Sequence, residues 1–231
     1  QSIHQYTFSA RLPSAACKIW PIIPECLSPA QGMYHFTKRR GIRPSTGNQQ
    51  TGWTGNFRDG KTLFTFTISS FETPPFKQPM VINGDVVLQP GTHLSFSPNA
   101  YLIINGSLLS KGTENSPVIM DASSDYWKGL YVFNASKKSI LEHTKISNLS
   151  ALEDGILQLT GAVTFYNSEV DLNNVIISDV IAEDAINIVH SKYSMNNVSI
   201  FDAASDAFDS DFSDGAITDS SFKNIAGDGI D

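Results

Sequence analysis

Asp209, Asp211 and Asp231 are the residues of this chain best placed to do chemistry. If the segment around Phe208, Ser210 and Phe212 is a strand with those three side chains inward, Asp209 and Asp211 project from the opposite face, roughly 7 Å apart along the strand. Asn187 lies 22 residues before Asp209, and Asp231 lies 22 residues after it. Carboxylates gathered in this way repel one another unless something offsets their charge. Three roles fit. One is a calcium site, because that ion takes carboxylate and carbonyl oxygens. Another is an acid/base pair acting on a glycosidic bond, which an inverting hydrolase holds about 6.5–9.5 Å apart. The last is plain turn capping and solubilising charge. Asp206, Asp214 and Asp228 flank the cluster.

The spacing of these residues is part of a repeat, and internal repeats set the architecture. Triplets of an Asp, a small residue and a large apolar one recur at Asp154-Gly155-Ile156, Asp184-Ala185-Ile186, Asp206-Ala207-Phe208 and Asp228-Gly229-Ile230. The last three Asp are 22 residues apart, and the first interval is 30, which implies an insertion. LNNVII at 172–177, MNNVSI at 195–200 and ITDSSF at 217–222 form a second series. Ile82-Asn83-Gly84, Ile104-Asn105-Gly106 and then Gly129 suggest a third.

Within each repeat the runs are short, β-branched or alternating, and bounded by Gly, Asn, Asp or Pro, which is strand punctuated by turn. Short strands at one fixed period pair with their equivalents one repeat later rather than as hairpins. The expected fold is therefore all-β, a right-handed parallel β-helix solenoid over residues 76–231 that continues past Asp231. Residues 1–75 form a loop-rich cap or extension, with a strand in KTLFTFTISSF (61–71) and Phe64, Phe66 and Ile68 covering the first repeat. Ile186, Phe208 and Ile230 should stack as one apolar ladder. Asn174 and Asn197 should occupy left-handed turn positions and hydrogen-bond to each other.

Charge divides along the chain. Residues 1–75 carry eight Lys/Arg against three acids, a net of +5, and the remainder carries eight against 20, a net of −12. An acidic surface argues against nucleic acid as a partner of the repeats. Lys38-Arg39-Arg40 reads as a solvated basic patch. The charge split also allows a filament subunit, in which the basic segment docks on the acidic repeats of a neighbour. Apolar residues make up 41% of the 231, enough for a sizeable core, and no apolar run is long enough to span a membrane. Cys17 and Cys26 bracket a Pro-rich segment and suit a small disulfide loop in an oxidising compartment. Trp127, Tyr126 and Tyr131 form an aromatic group fit for sugar stacking or for plugging a corner.

These repeats resemble the right-handed parallel β-helix, pectate-lyase-like superfamily. LQPGTHLSFSPNAYLIINGSLLSKGTENSPVIM and WKGLYVFNASKKSILEHTKISN are similar to the opening repeats of bacterial surface or secreted members. EDAINIVHSKYSMNNVSIFDAASDAFDSDFSDGAITDSSFKNIAGDGID resembles Asp-rich repeat regions found with CotH-type proteins. The resemblance implies a secreted or cell-surface location and a range of roles from polysaccharide lyase, hydrolase or epimerase to adhesin or spacer.

The residues narrow that range. Every Arg lies at or before Arg58, and Lys192 and Lys223 are the only lysines after Lys145, so the cations that a uronate lyase uses are scarce. The NTD, DD and G-H-G strings of polygalacturonase relatives are missing too. His190 reads as a packed histidine at the core or a corner, and His143 has no identifiable partner. The N-x-S sequences at Asn105, Asn134, Asn148 and Asn197 matter only in a eukaryotic secretory pathway. The expected function is a structural or binding module contacting glycan, calcium or another copy of itself. The alternative is a polysaccharide-active enzyme working at Asp209, with residues 157–164 as one wall of its groove.

Overall fold

The computed structural model describes residues 53–56, 65–68 and 75–231. Its parallel sheets belong to one compact unit, which takes in residues 75–153 and 158–231. Cys17, Cys26, Phe64 and Lys38-Arg39-Arg40 lie outside the described residues, and of Phe66 and Ile68 only the backbone is described.

The described chain is all-strand, and nearly all of its strand pairs are parallel. One sheet runs Met80–Asn83, Leu102–Asn105, Leu130–Phe133, Gly161–Tyr166, Asp184–Val189, Asp206–Asp211 in spatial order, which is also chain order. A second sheet of twelve strands follows the same rule through Asp85–Leu88, Leu108–Lys111, Ser139–Leu149, Val170–Val180, Lys192–Asn196 and Asp214–Thr218. Each strand therefore pairs with its copy in the next repeat. Thr65–Ile68 extends this second sheet, in register with Asp85–Leu88, and pairs antiparallel with Trp53–Asn56. The sheet thus reaches upstream of residue 76.

Register makes the core. Met80, Leu102, Leu130, Val163, Ile186 and Phe208 stand in line across six strands, and none is more than 7% exposed. A second line, Ile82, Ile104, Val132, Phe165 and Ile188, lies two residues further along each strand and is equally buried. Stacking like on like lets each side chain repeat the packing of its neighbour, so apolar area is removed from water along the whole array. Trp127 is part of this core. It is fully buried, stacks on Phe96 at 4.2 Å and donates its indole N–H to the Ser147 carbonyl at 3.0 Å.

Residues with left-handed backbones fall in columns, some between strands and some within the longer ones. Asn134, Asn167, His190 and Phe212 form one; His143, Asn174, Asn197 and Asp219 a second; Asn148, Asp179, Asp202 and Asn224 a third. Asn and Asp tolerate this region because their short polar side chains bond locally. Asn197 Nδ2 donates to Asn174 Oδ1 at 2.7 Å, as the sequence suggests, and Asn167 to Asn134 and Asn224 to Asp202 repeat the device. Beside the first column, the hydroxyls of Ser168, Ser191 and Ser213 accept backbone N–H groups from the preceding repeat.

Three expectations need correction. Gly161, not Asp154, stands opposite Asp184, so Asp154 is outside the Asp ladder. Residues 151–160 instead carry the short strands Leu152–Asp154 and Leu157–Leu159, and Gly161–Tyr166 is a core strand rather than a groove wall. Gly129 precedes Leu130, the partner of Leu102, so it is not the counterpart of Gly106. Ile230 stands opposite Phe208, as the ladder of Ile186, Phe208 and Ile230 requires, and is 57% exposed.

Candidate functional site

The acidic residues lie at the last strand of the six-stranded sheet. Register places Asp206 against Asp184, Asp209 against Asn187 and Asp211 against Val189. The Asp231 N–H donates to the Phe208 carbonyl at 2.9 Å, which puts Asp231 one repeat beyond Asp209. The expected order Asn187, Asp209, Asp231 across repeats is thus observed. Asn187 is nearly buried, and its Nδ2 donates to Asp209 Oδ2 at 2.9 Å and to Asp184 Oδ2 at 3.3 Å. Asp184 is also nearly buried and is hydrogen-bonded by the Thr160 side chain.

Electrostatics here oppose ionisation. Burial pushes the Asp209 carboxyl above the usual range, and the charges of Asp211, Asp231 and Asp206 add to the rise against a backbone N–H from Ser210. Asp184 is raised in the same sense, by burial first and then by Asp209 and Glu183, while Asn187 and Thr160 draw it down. Asp209, Asp211 and Asp231 feel one another's charge, yet no three Asp, Glu, His or Cys side chains among the described residues converge as metal ligands. The geometry offers a shared carboxylate field rather than a coordination shell.

Of the two placements open to the aromatic residues, sugar stacking or plugging the fold, Trp127 and Tyr131 take the second. Trp127 and Tyr131 are fully buried and have no surface to offer a sugar, and Tyr126 is only part-exposed. Stacking of these side chains in the array consumed the faces that a ligand needs. His190 is not packed inside: it is exposed at a bend, with φ of 50°. Phe212 is not inward either. Strand alternation ends at Asp211, Phe212 takes the left-handed position with φ of 50°, and it is 83% exposed.

These two residues complete a column of rings on the surface. Phe133 meets Tyr166 with centroids 6.5 Å apart, Tyr166 meets His190 edge-on at 5.7 Å, and His190 stacks on Phe212 at 5.0 Å. A bulky residue with positive φ is a conformational outlier, and such outliers concentrate where function requires them. The sequence signal for this column was available. His190 follows Asn167 by 23 residues and Phe212 follows His190 by 22, yet both break the Asn pattern of that bend. Their aromatic character concealed the shared position.

Beside the rings lies a groove of about 490 Å³, lined by His190, Phe212, Lys138, Glu169, Lys192 and Asp214 among others. Lys137 also lines it while donating to Asp85 at 2.7 Å. Asp85 is nearly buried; burial alone would raise its carboxyl, but Lys137 and the Ser107 hydroxyl and N–H outweigh that and hold it below the usual range. Lys137 is thus committed to the fold, whereas Lys138 pairs at 3.1 Å with Asp171, a carboxylate also near the surface. The arrangement is suited to binding: exposed π faces, hydroxyls, amides and charges of both signs.

No helix among the described residues is long and apolar enough to cross a membrane. Compared with known proteins, the chain matches no family model, and no curated protein or solved structure shows significant similarity to it.

Proposed function

We propose that this chain is a right-handed parallel β-helix from a secreted or cell-surface protein, and that it works as a glycan-binding module. Two regularities support the winding. Left-handed residues recur in three columns along the parallel strands, and each strand pairs with the one a repeat later. Parallel connections are right-handed in nearly all proteins.

The binding reading rests on one observation, a ring column of half-buried Phe133 and Tyr166 and exposed His190 and Phe212 beside an open polar groove. Pyranose rings present a C–H face that lies flat on aromatic rings, while their hydroxyls bond to amides and charges at the rim. An aromatic body with a polar surround is the usual make-up of a small-molecule site. His190 and Phe212, at equivalent bends of successive repeats, stack about one strand spacing apart, which suits an extended polymer better than a compact ligand.

Affinity electrophoresis of the full chain through gels containing plant, bacterial and animal polysaccharides tests this. At least one polysaccharide should retard the wild type and not a Phe212→Ala/His190→Ala variant. Equal migration of both proteins in every gel would refute the proposal.

A further inference from the structure

We infer that the glycan taken by this groove carries charge of alternating sign, amine and carboxylate on successive sugars; this rests on the glycan-binding reading and names its ligand class. Lys138, Glu169, Lys192 and Asp214 occupy one position in four successive strands. Lys192 pairs directly with Asp214 in the sheet register. Ser139 with Val170, and Val170 with Tyr193, fix the preceding residues Lys138, Glu169 and Lys192 in the same line. All four side chains are exposed, and all four line the groove beside the rings. Read across the strands, the charge runs plus, minus, plus, minus at a step of about 4.8 Å.

Neighbouring opposite charges on paired strands often neutralise each other. These four do not: among the described residues no lysine Nζ of the row comes within 4.0 Å of a carboxylate oxygen of the row, and only Lys138 is ion-paired, with Asp171 outside the row. An exposed pair of that kind is worth little and yields readily to a ligand. A polyanion would meet Glu169 and Asp214 unfavourably, and a polycation would meet Lys138 and Lys192 likewise, so either uniform polymer gains at two positions what it loses at two. An extended glycan advances by close to one strand spacing per sugar. A chain alternating amino sugar and uronate therefore presents the complementary sign at each step while its ring faces lie on Phe212 and His190. Charge order, rather than net charge, sets the specificity.

The test uses calorimetry on the full chain at mildly acidic pH, where sugar amines are protonated. The probes are hyaluronan oligosaccharides with the N-acetyl groups removed, intact hyaluronan oligosaccharides, and chitosan oligosaccharides. The first probe should bind at least tenfold more tightly than either of the others. A Glu169→Lys/Lys192→Glu variant keeps the composition and net charge but changes the order to plus, plus, minus, minus. It should lose that tenfold preference while its melting temperature and its circular dichroism stay those of the wild type. Equal binding of all three probes, or an unchanged preference in the swapped variant, overturns the inference and leaves the ring column as a glycan site. Binding of a neutral polysaccharide through Phe212 with none of the three probes bound has the same consequence. Failure of every glycan, charged or neutral, removes the underlying reading instead. A plus-minus-plus-minus row is also self-complementary about a two-fold axis. A dimer in sedimentation that the swapped variant abolishes would assign the row to a second copy of the chain and overturn the glycan inference.

Discussion

Replacing Phe212 by Asn should leave the protein slightly more stable while removing its ligand contact. Phe212 holds a left-handed backbone at φ of 50° and is 83% exposed. For an L-residue that region costs roughly 1–2 kcal/mol, a cost Asn largely escapes. Against this relief stand two losses. The ring stack with His190, at 5.0 Å, is worth at most about 0.5 kcal/mol so near the surface. The little apolar area that Phe212 buries contributes about another 0.5 kcal/mol. The balance is a gain of about 0.5 kcal/mol, a rise in melting temperature of roughly 1–2 °C for a domain of this size. Urea titration and thermal melts of the two proteins measure it. Glycan retention should fall about tenfold in the same variant, some 1.4 kcal/mol of binding. A destabilisation beyond about 1.5 kcal/mol would refute the reasoning, because it would show Phe212 to be a packing residue of the kind whose truncation is expensive. The converse variant, Asn167→Phe, should cost stability, since it loses the 3.0 Å bond to Asn134 and places a ring in the same strained region.

Asp209 has a folded-state pKa above its ordinary 3.8, so its favourable contribution is present below that value and is lost as pH rises through the raised one. Asp209→Asn should therefore gain stability over the wild type as pH rises, with the difference vanishing in acid; urea midpoints from roughly pH 3 to pH 7 will show whether the two curves converge at the acid end. Asp85 behaves oppositely: its lowered pKa gives stability above 3.8 that disappears as pH falls through the lowered value. Lys137→Ala should cost about 1 kcal/mol at neutral pH, a modest figure because the lysine is exposed, and should move acid unfolding to higher pH. An unchanged acid limb would mean that Ser107 alone sustains the carboxylate. Trp127→Ala removes a fully buried ring stacked on Phe96 and should cost about 3–5 kcal/mol in chemical denaturation. A loss below 1 kcal/mol would show that the core at Phe96 repacks freely.

The repeat was legible because each strand is stabilised by its own copy, so the period appears directly in the residue types. Leu172 with Met195 and Ile217, Ile186 with Phe208, and Asn174 with Asn197 pair as their spacing implies. The spacing misled where insertions intervened. Leu102 and Leu130 are 28 apart and Leu130 and Val163 are 33 apart, so Gly129 and Asp154 matched the local pattern without sharing the register. The two candidate sites differ in the same way. The order of Asn187, Asp209 and Asp231 follows from the period alone, because a ladder position is a sequence position modulo the repeat. Whether those carboxylates converge on a metal depends on where each side chain points, which a period does not encode, and they do not. The ring column and the charge row needed the bend itself. Alternation predicts facing only while the backbone stays extended, and one left-handed residue resets it. Tertiary structure alone turned Phe212 outward onto His190 and brought Lys138, Glu169, Lys192 and Asp214 into a line beside them.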